Sequence, residues 1–335
     1  MIILKNLTKK FDNFIAVDNI SLTIKENEVF GLLGQNGAGK TTTIHMLATL
    51  IKPTSGTASI NNYDIVKHPS QVRQNIGIVF QAPSSDDMLT GYENLKIHSY
   101  LYNVPAKDRE KRIVELLELV GLKERKDELV KKYSGGMRRR LEIARGLIHR
   151  PKVLFLDEPT LGLDPNSRKS MWKYIQELVK EEKITVILTT HYMEEADFLC
   201  DRIGFINKGR IIATDTPANL KSTINWKFGG DTIKIKFKNS QYNAENQSYQ
   251  EKFKSIIKTL NTFDFINNFR VEDNILILSV KKASYNLPIL LKVLDDVESV
   301  EYSETTLNDV FHKFTNEDAN DHPEGGFMEK YAQYG

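Results

Sequence analysis

Short apolar runs separated by polar turns open the chain, and they predict strands. The first three runs are Ile2–Leu4, Ala16–Ile24 and Glu28–Leu33. Towards the end of the second run, apolar and polar residues alternate, which is typical of a strand with one face in solvent. We therefore expect an antiparallel rim beside the strand that ends at Leu33.

Three later runs are continuously apolar and predict strands of a different kind. They are Ile76–Phe80, the run that begins at Val153 and ends in two carboxylates, and Ile184–Thr190. Continuous apolar character is typical of strands buried on both faces of a parallel sheet. Between the first two runs, helical spacing predicts a helix that opens at Thr90 and another over Asp108–Val120. The pattern predicts an α/β fold, with a mixed sheet and a helical subdomain, over residues 1–225.

A second pattern begins at Asp231 and predicts a separate accessory domain over residues 226–315. The order of elements is β-α-β-β-α-β, which is that of a ferredoxin-like split motif. The predicted strands are Thr232–Phe237, one near Phe269, Ile275–Val280 and Val300–Tyr302, and the predicted helices are Tyr249–Leu260, Leu287–Val297 and one at Thr306–Phe311. No catalytic constellation is visible here, so a dimer-supporting or stabilising role is favoured over a regulatory sensor. The polar residues 316–335 predict a loose tail.

Composition narrows the classes of function. The 335 residues carry 46 Lys and Arg against 44 Asp and Glu, a net charge of +2, which disfavours a nucleic-acid partner. Cys200 is the only cysteine, so one chain can build neither a disulfide framework nor a zinc cluster. The N-terminus lacks a signal-peptide pattern, and no run approaches the ~18 apolar residues of a spanning helix. We expect a cytoplasmic protein whose membrane role comes through a partner.

The strongest chemical motif follows the strand that ends at Leu33. The stretch GQNGAGKTT has the spacing of a phosphate-binding loop. Its glycines let backbone N–H groups curl around phosphate oxygens at a helix N-terminus. Lys40 adds a positive charge near the outer phosphates, and the Thr41 hydroxyl can bind Mg²⁺. The predicted nucleotide-binding residues are Gly34, Gln35, Asn36, Gly37, Ala38, Gly39, Lys40, Thr41 and Thr42.

A second anion-binding helix end is predicted at Ser134. Serine is a preferred N-cap, and Gly135 and Gly136 after it bare the backbone N–H groups of the helix end. The arginine triplet 138–140 invites a nucleic-acid interpretation. We favour a solvated or subunit-facing helix surface for it.

Polar residues cluster where the buried strands end. Asp157 is placed to hold Mg²⁺, and Glu158 could activate an attacking water. Gln81 and His191 stand just past the ends of two other buried strands, and such strand ends border the ligand crevice of an open α/β sheet. His191 at this edge suggests a phosphate-sensing role. Asp164, followed by proline, predicts an N-cap.

These motifs, in this order, resemble the nucleotide-binding subunit of ATP-binding cassette (ABC) transporters over about Met1–Lys221. GQNGAGKT resembles Walker A, YSGGM the signature, VLFLDE Walker B, and LGLD the D-loop; Gln81 and His191 match the Q-loop and the switch histidine. The resemblance implies binding and hydrolysis of MgATP. It implies catalytic roles for Lys40, Gln81, Glu158 and His191, metal ligation by Thr41, Gln81 and Asp157, and nucleotide contacts from Ser134, Gly135, Gly136 and Asp164.

Three further features qualify the resemblance. Phe11 matches the adenine-stacking aromatic of the family, and Phe14 is a rival. Tyr133 and Met137 replace the Leu and Gln of the commonest signature, LSGGQ. The stretch around the signature is similar to an exporter branch resembling daunorubicin-resistance ATPases, which pair with separately encoded membrane subunits.

The resemblance also implies partners. Two chains, either two copies or one copy and a paralogue, would meet head to tail, each ATP lying between Lys40 of one and Ser134 of the other. The protein would then sit on the cytoplasmic face of the membrane. The main alternative is a soluble ABC ATPase acting on ribosomes or nucleic acid, but those carry tandem cassettes or long coiled coils that this chain lacks. An importer ATPase is a rival within the class, and Glu158 argues against a module without turnover.

Overall fold

The computed structural model describes residues 1–227, 230–238, 256, 258–260, 262–272, 275–294 and 296–320. They divide into two compact units, one containing Met1–Pro217 and the other Ala218–Glu317. The division falls slightly before the boundary predicted after residue 225. Within the described residues, no helix is long and apolar enough to cross a bilayer.

The first unit alternates strands and helices. Its strands are β1 (Ile2–Phe11), β2 (Phe14–Ile24), β3 (Val29–Leu33), β4 (Ser55–Ile60), β5 (Tyr63–Asp64), β6 (Ile76–Val79), β7 (Val153–Asp157), β8 (Thr185–Thr190), β9 (Arg202–Asn207) and β10 (Arg210–Asp215). Its helices are α1 (Lys40–Leu47), α2 (Pro69–Asn75), α3 (Gly91–Leu101), α4 (Ala106–Leu119), α5 (Gly135–Leu147), α6 (Pro165–Glu182) and α7 (Met193–Leu199), and α8 (Pro217–Lys227) starts at the division.

The strands form two sheets, which confirms the predicted mixed α/β cassette. An antiparallel rim has the order β2-β1-β4-β5, and the central sheet has the order β10-β9-β3-β8-β7-β6. In the central sheet, β3 pairs in parallel with β8 and β9, and β7 pairs in parallel with β6 and β8. β3, β7 and β8 are buried throughout, which the continuous apolar runs predict for β7 and β8, whereas Ile78 of β6 is only partly buried. The carboxyl ends of these strands therefore lie at one edge.

A single apolar cluster fixes the helix that follows the phosphate loop. Ile44 and Met46 of α1 are fully buried in it, together with Ile2 of the rim and Phe30 and Phe155 of the central sheet. Rim and central sheet thus pack around α1. Burying a side chain of this size typically contributes about 1.5–3 kcal/mol, so the position of the loop is stabilised by the core.

The second unit contains an antiparallel sheet with helices. Its elements are β11 (Asp231–Phe237), β12 (Ile266–Glu272), β13 (Ile275–Val280), α9 (Ala283–Leu291), β14 (Val297–Ser303) and α10 (Leu307–Asn320). The strand order is β12-β13-β11-β14, and every neighbouring pair is antiparallel. Residues 256 and 258–260, between β11 and β12, are helical. The remainder of the helix predicted over Tyr249–Leu260 lies outside the described residues. This order and pairing are those of the predicted ferredoxin-like motif.

Two helix boundaries differ from the sequence prediction. The helix predicted over Leu287–Val297 runs instead over α9, because Asp231 accepts a hydrogen bond from the backbone N–H of Ala283 (2.8 Å) and stabilises an earlier start. Val297 already belongs to β14. The last helix, α10, continues to Asn320, into the segment predicted as a loose tail. Residues 321–335 lie outside the described residues.

Candidate active site

The phosphate loop joins β3 to α1, and two of its glycines are required by close backbone contacts. Gly39 has φ 107°, and a Cβ there would lie 2.4 Å from the carbonyl oxygen of Ala16 in β2. A Cβ on Gly34 would lie 2.2 Å from the carbonyl oxygen of Ile206 in β9. These glycines therefore let the loop pack against both sheets, a requirement that comes in addition to phosphate binding.

Lys40 is buried at the start of α1, where its side chain is 5% exposed. Its Nζ donates to the carbonyl oxygens of Gly34 (2.8 Å) and Gln35 (3.0 Å) and lies 3.8 Å from Oε1 of Glu158. Burial lowers the pKa of Lys40, while the charges of Glu158 and Asp157 oppose that shift. The cation is held by groups that an incoming phosphate could replace.

Asp157 ends β7 and is 2% exposed. Its Oδ1 accepts hydrogen bonds from the hydroxyl of Thr41 (3.3 Å) and from the hydroxyl of Thr189. A hydroxyl beside a carboxylate offers the hard oxygen ligands that Mg²⁺ prefers. Among the described residues, no group of three or more His, Cys, Asp or Glu could hold a metal ion. The pair of Thr41 and Asp157 fits Mg²⁺, which proteins usually bind through one or two carboxylates together with waters and substrate phosphates.

Glu158 turns the chain sharply after β7. Its φ is 47°, in the left-handed region, and its N–H donates to the carbonyl and to the hydroxyl of Thr189, both at 3.1 Å. This turn places the carboxylate between Lys40 and His191, whose Nδ1 lies 3.3 Å from Oε1. The structure therefore brings together Lys40, Thr41, Asp157, Glu158 and His191 at the carboxyl edge of the central sheet.

The other predicted residues lie around this centre. Gln81 is exposed and lies two residues after the end of β6, the strand that pairs with β7. Phe11 and Phe14 face each other at the turn between β1 and β2, and their side chains are 45% and 61% exposed. Lys9 lies 4.9 Å from the centre of the Phe11 ring. Asp164 is the predicted N-cap of α6 and accepts from the N–H groups of residues 166 and 167 at 3.1 Å.

The signature residues form an open helix end. Ser134 is the N-cap of α5, and its hydroxyl accepts from the N–H of Met137 at 3.3 Å. Ser134 and Gly135 are exposed, and a Cβ on Gly136 would meet nothing within 4 Å. The bared N–H groups of α5 are thus accessible from solvent.

The surroundings of Tyr133 explain why a tyrosine can stand where the commonest signature has leucine. Its side chain is buried, and its hydroxyl donates to the carbonyl of Arg125 at 2.7 Å. A Cβ on Gly91 would lie 2.3 Å from that hydroxyl. The absence of a side chain at Gly91 makes room for the larger residue at 133.

The interpretation of the arginine triplet as a solvated surface is wrong for Arg139, which is 7% exposed. Its guanidinium donates to the carbonyl oxygens of Phe80 (2.6 Å), Asp157 (2.9 Å), Glu158 (3.2 Å) and Pro159 (2.7 Å). Sequence reasoning missed this residue because nothing in a run of three arginines shows which one faces the core. Arg139 therefore holds the backbone that carries the carboxylates of Asp157 and Glu158.

Comparison with known proteins identifies the family. The ABC transporter family model matches residues 17–161. Over 239 residues, 71% of each chain, the protein is 44% identical to the daunorubicin/doxorubicin resistance ATP-binding protein DrrA of Streptomyces peucetius. Over 229 residues, 68% of this chain and 72% of the relative, it is 43% identical to the linearmycin resistance ATP-binding protein LnrL of Bacillus subtilis.

Solved structures of ABC transporter ATP-binding subunits have the same fold as the first unit. CbiO1 of Clostridium perfringens, part of the transporter complex cbiONQ, superposes with a TM-score of 0.62 at 30% identity, covering 68% of this chain and 95% of CbiO1. The cassette MJ0796, solved as a dimer after hydrolysis with ADP and Pi, gives 0.58 at 30% identity, covering 64% and 98%. The chain belongs to the ATP-binding proteins of ABC transporters; it binds nucleotide and hydrolyses ATP.

Proposed function

We propose that this chain energises export of a substrate through separately encoded membrane subunits, from the cytoplasmic face of the membrane. Two relatives above 40% identity are named for resistance to daunorubicin, doxorubicin or linearmycin, which favours an exporter. The main structural support is that one chain carries two separate features. One is the cluster of Lys40 with the carboxylate of Glu158, and the other is the exposed N-terminus of the signature helix at Ser134. Each is half of a site that two chains, identical or paralogous, could complete head to tail.

In this proposal, residues 34–42 hold the ATP phosphates with backbone N–H groups. Lys40 gives up its bonds to Gly34 and Gln35 and turns towards the outer phosphates. Thr41, Asp157 and Gln81 hold Mg²⁺, which neutralises charge on the phosphates when bound. Ser134, Gly135 and Gly136 of the opposite chain complete the phosphate site, with Asp164 at the same interface.

Glu158 then acts as the base for hydrolysis. It accepts a proton from the attacking water as the new oxygen–phosphorus bond forms and the bond from the γ-phosphorus to the bridging oxygen of ADP breaks. His191, 3.3 Å from the Glu158 carboxylate, orients that carboxylate and contacts the γ-phosphate. Release of ADP and phosphate removes what joins the two chains, and the loop after Gln81 passes the motion to the membrane subunits.

Phe11, rather than Phe14, is proposed to stack on adenine. Phe11 and Phe14 lie on the hairpin of β1 and β2. This hairpin touches the phosphate loop, because the carbonyl oxygen of Ala16 in β2 lies against Gly39. Stacking a base on an aromatic ring typically contributes ~1–3 kcal/mol, so we expect Phe11→Ala to weaken ATP binding about 5- to 150-fold. Isothermal titration with MgATP would measure this, with Phe14→Ala as the matched control. A larger loss from Phe14→Ala would assign the stacking role to Phe14.

A groove on the helical part of the first unit is the proposed docking site for a membrane subunit. A cavity of about 450 Å³ is lined by the apolar side chains of Val104, Pro105 and Ile148 and by the charged side chains of Asp108, Lys111, Arg112 and Arg150. Leu101 at the adjoining end of α3 is 68% exposed. A groove with both apolar and charged walls, and an exposed leucine at its border, fits an amphipathic segment of a partner.

We expect Leu101→Glu to abolish copurification with the membrane subunit, because the substitution places a negative charge against the apolar face of the partner's amphipathic segment. Leu50→Glu is the matched control, since Leu50 is 51% exposed outside the helical part. The measurement is capture of the tagged chain from detergent-solubilised membranes, with identification of the bound protein. Equal capture by both variants would exclude this groove, and capture of ribosomes or nucleic acid instead would overturn the transport proposal.

A further inference from the structure

The loop after Gln81 is fastened to α5 by a buried carboxylate. Glu142 of α5 is 4% exposed and accepts hydrogen bonds from the N–H of Ser84 (3.0 Å), the hydroxyl of Ser84 (2.9 Å) and the N–H of Ser85 (2.7 Å). A buried carboxylate is costly unless it is paired and hydrogen-bonded. Here all the neutral donors come from the loop, so the loop and the helix satisfy each other.

Arg145, one turn further along α5, supplies the balancing charge. Its Nη1 lies 2.8 Å from both carboxylate oxygens of Glu142 and 3.0 Å from the hydroxyl of Ser84. Burial alone would raise the pKa of Glu142, but Arg145 and the loop donors hold it below its usual range, so Glu142 is an anion. Nη2 of Arg145 contacts Nε2 of His98 on α3. Burial, followed by the charge of Arg145, lowers the pKa of His98 to about 4, so this nitrogen can accept.

Arg139 fastens the other side of the same loop. It binds the carbonyl of Phe80, the residue before Gln81, and the carbonyls of Asp157 and Glu158. Gln81 is therefore flanked by two attachments that both come from α5. The N-terminus of this helix is Ser134, the proposed contact to the nucleotide of the opposite chain.

We propose that Glu142 is a positioning residue that couples the loop carrying Gln81 to the signature helix, so that a displacement of the loop moves Ser134 with it. The proposal rests on the roles of Gln81 and Ser134 proposed above. Charge-assisted hydrogen bonds inside a protein are roughly twice as strong as neutral ones, and a network of them moves as one body. Without Glu142, the loop could move while α5 stays in place.

The first test is Glu142→Gln, which keeps the size but replaces one acceptor oxygen with a donor. We expect the amide hydrogens of Ser84 and Ser85 to exchange faster with solvent. We also expect kcat for ATP hydrolysis to fall by up to about a hundredfold, because a small misplacement far from the chemistry can have that effect. The Kd for ADP without Mg²⁺ should not change, since the hydrogen bonds of Glu142 go to Ser84, Ser85 and Arg145 and not to the phosphate loop.

The matched control is Asp87→Asn. Asp87 joins the same loop to the same helix through Arg138 at 2.6 Å, but it is 50% exposed, so its loss should alter neither kcat nor exchange at Ser84 and Ser85. Ser84→Ala, at an exposed position, gives a second variant that should fold normally and show a smaller loss in the same direction. A double variant Gln81→Ala/Glu142→Gln should lose no more kcat than Gln81→Ala alone, because Glu142 acts through the loop that carries Gln81.

Three results would overturn the coupling. One is unchanged kcat and exchange in Glu142→Gln and Ser84→Ala. Another is a parallel loss of melting temperature and of affinity for ADP without Mg²⁺, which would make Glu142 a structural residue only. The third is full additivity with Gln81→Ala. A wild-type chain that did not hydrolyse ATP would refute the proposed function instead, and amide exchange at Ser84 and Ser85 would still decide whether Glu142 holds the loop.

Discussion

Replacing Glu158 with glutamine should lower kcat for ATP hydrolysis by ~10²- to 10⁴-fold, the usual contribution of a general base. The substitution keeps the side-chain size, so the turn at φ 47° and its hydrogen bonds to Thr189 should survive. The contacts of Lys40 to Gly34 and Gln35 do not involve Glu158. ATP should therefore still bind, and only the proton transfer from the attacking water should be lost.

The same variant tests the shared site. With hydrolysis blocked, MgATP should shift Glu158→Gln from monomer to dimer in size-exclusion chromatography, and adding Ser134→Arg should reverse the shift by filling the opposite half-site. Glu194→Gln, at an exposed position on α7, is the matched control and should hydrolyse ATP at the parental rate. Parental turnover by Glu158→Gln would require another base. A variant that binds ATP and stays monomeric, even with the membrane subunits present, would contradict the head-to-tail arrangement.

The parts of the fold that follow continuous or periodic apolar patterns were predictable. β7 and β8 are buried along their whole length, as their uninterrupted apolar runs indicate. β4 and α2 were not predicted, because SGTASI is small and polar and Pro69–Asn75 buries only Val72. Such elements form because neighbouring strands supply their partners: β4 takes its register from β1. That information lies in tertiary contacts and not in local sequence.

The site divides in the same way. Lys40, Asp157 and His191 could be placed because each follows directly from a strand or loop with a strong pattern. The position of the Glu158 carboxylate could not, since a left-handed φ in a non-glycine residue has no local signal. The role of Arg139 depends on carbonyls that lie far away in sequence, at Phe80 and Pro159. Buried arginines of this kind become visible only when the chain is folded.

Lys40 is the cation on which the electrostatics of the site depend, so Lys40→Met should have the second large effect. Methionine keeps an apolar stem of similar length but loses the charge. Oε1 of Glu158, 3.8 Å away, and the carboxylate of Asp157 would then face the ATP phosphates without a nearby compensating cation from α1. Removing one such electrostatic donor typically lowers the rate ~10²- to 10³-fold. We expect at least that loss in kcat/KM for ATP.

The measurement must separate this charge effect from a change in folding, because Lys40 also donates to the carbonyls of Gly34 and Gln35. Thermal unfolding without nucleotide reports the structural part, while binding of MgATP and of ADP without Mg²⁺ reports the electrostatic part. If Lys40 acts on the outer phosphates, affinity for MgATP should fall more than affinity for ADP. Lys52→Met, at an exposed position after α1, is the matched control and should change neither quantity. Parental hydrolysis by Lys40→Met in a folded protein would remove Lys40 from the catalytic site.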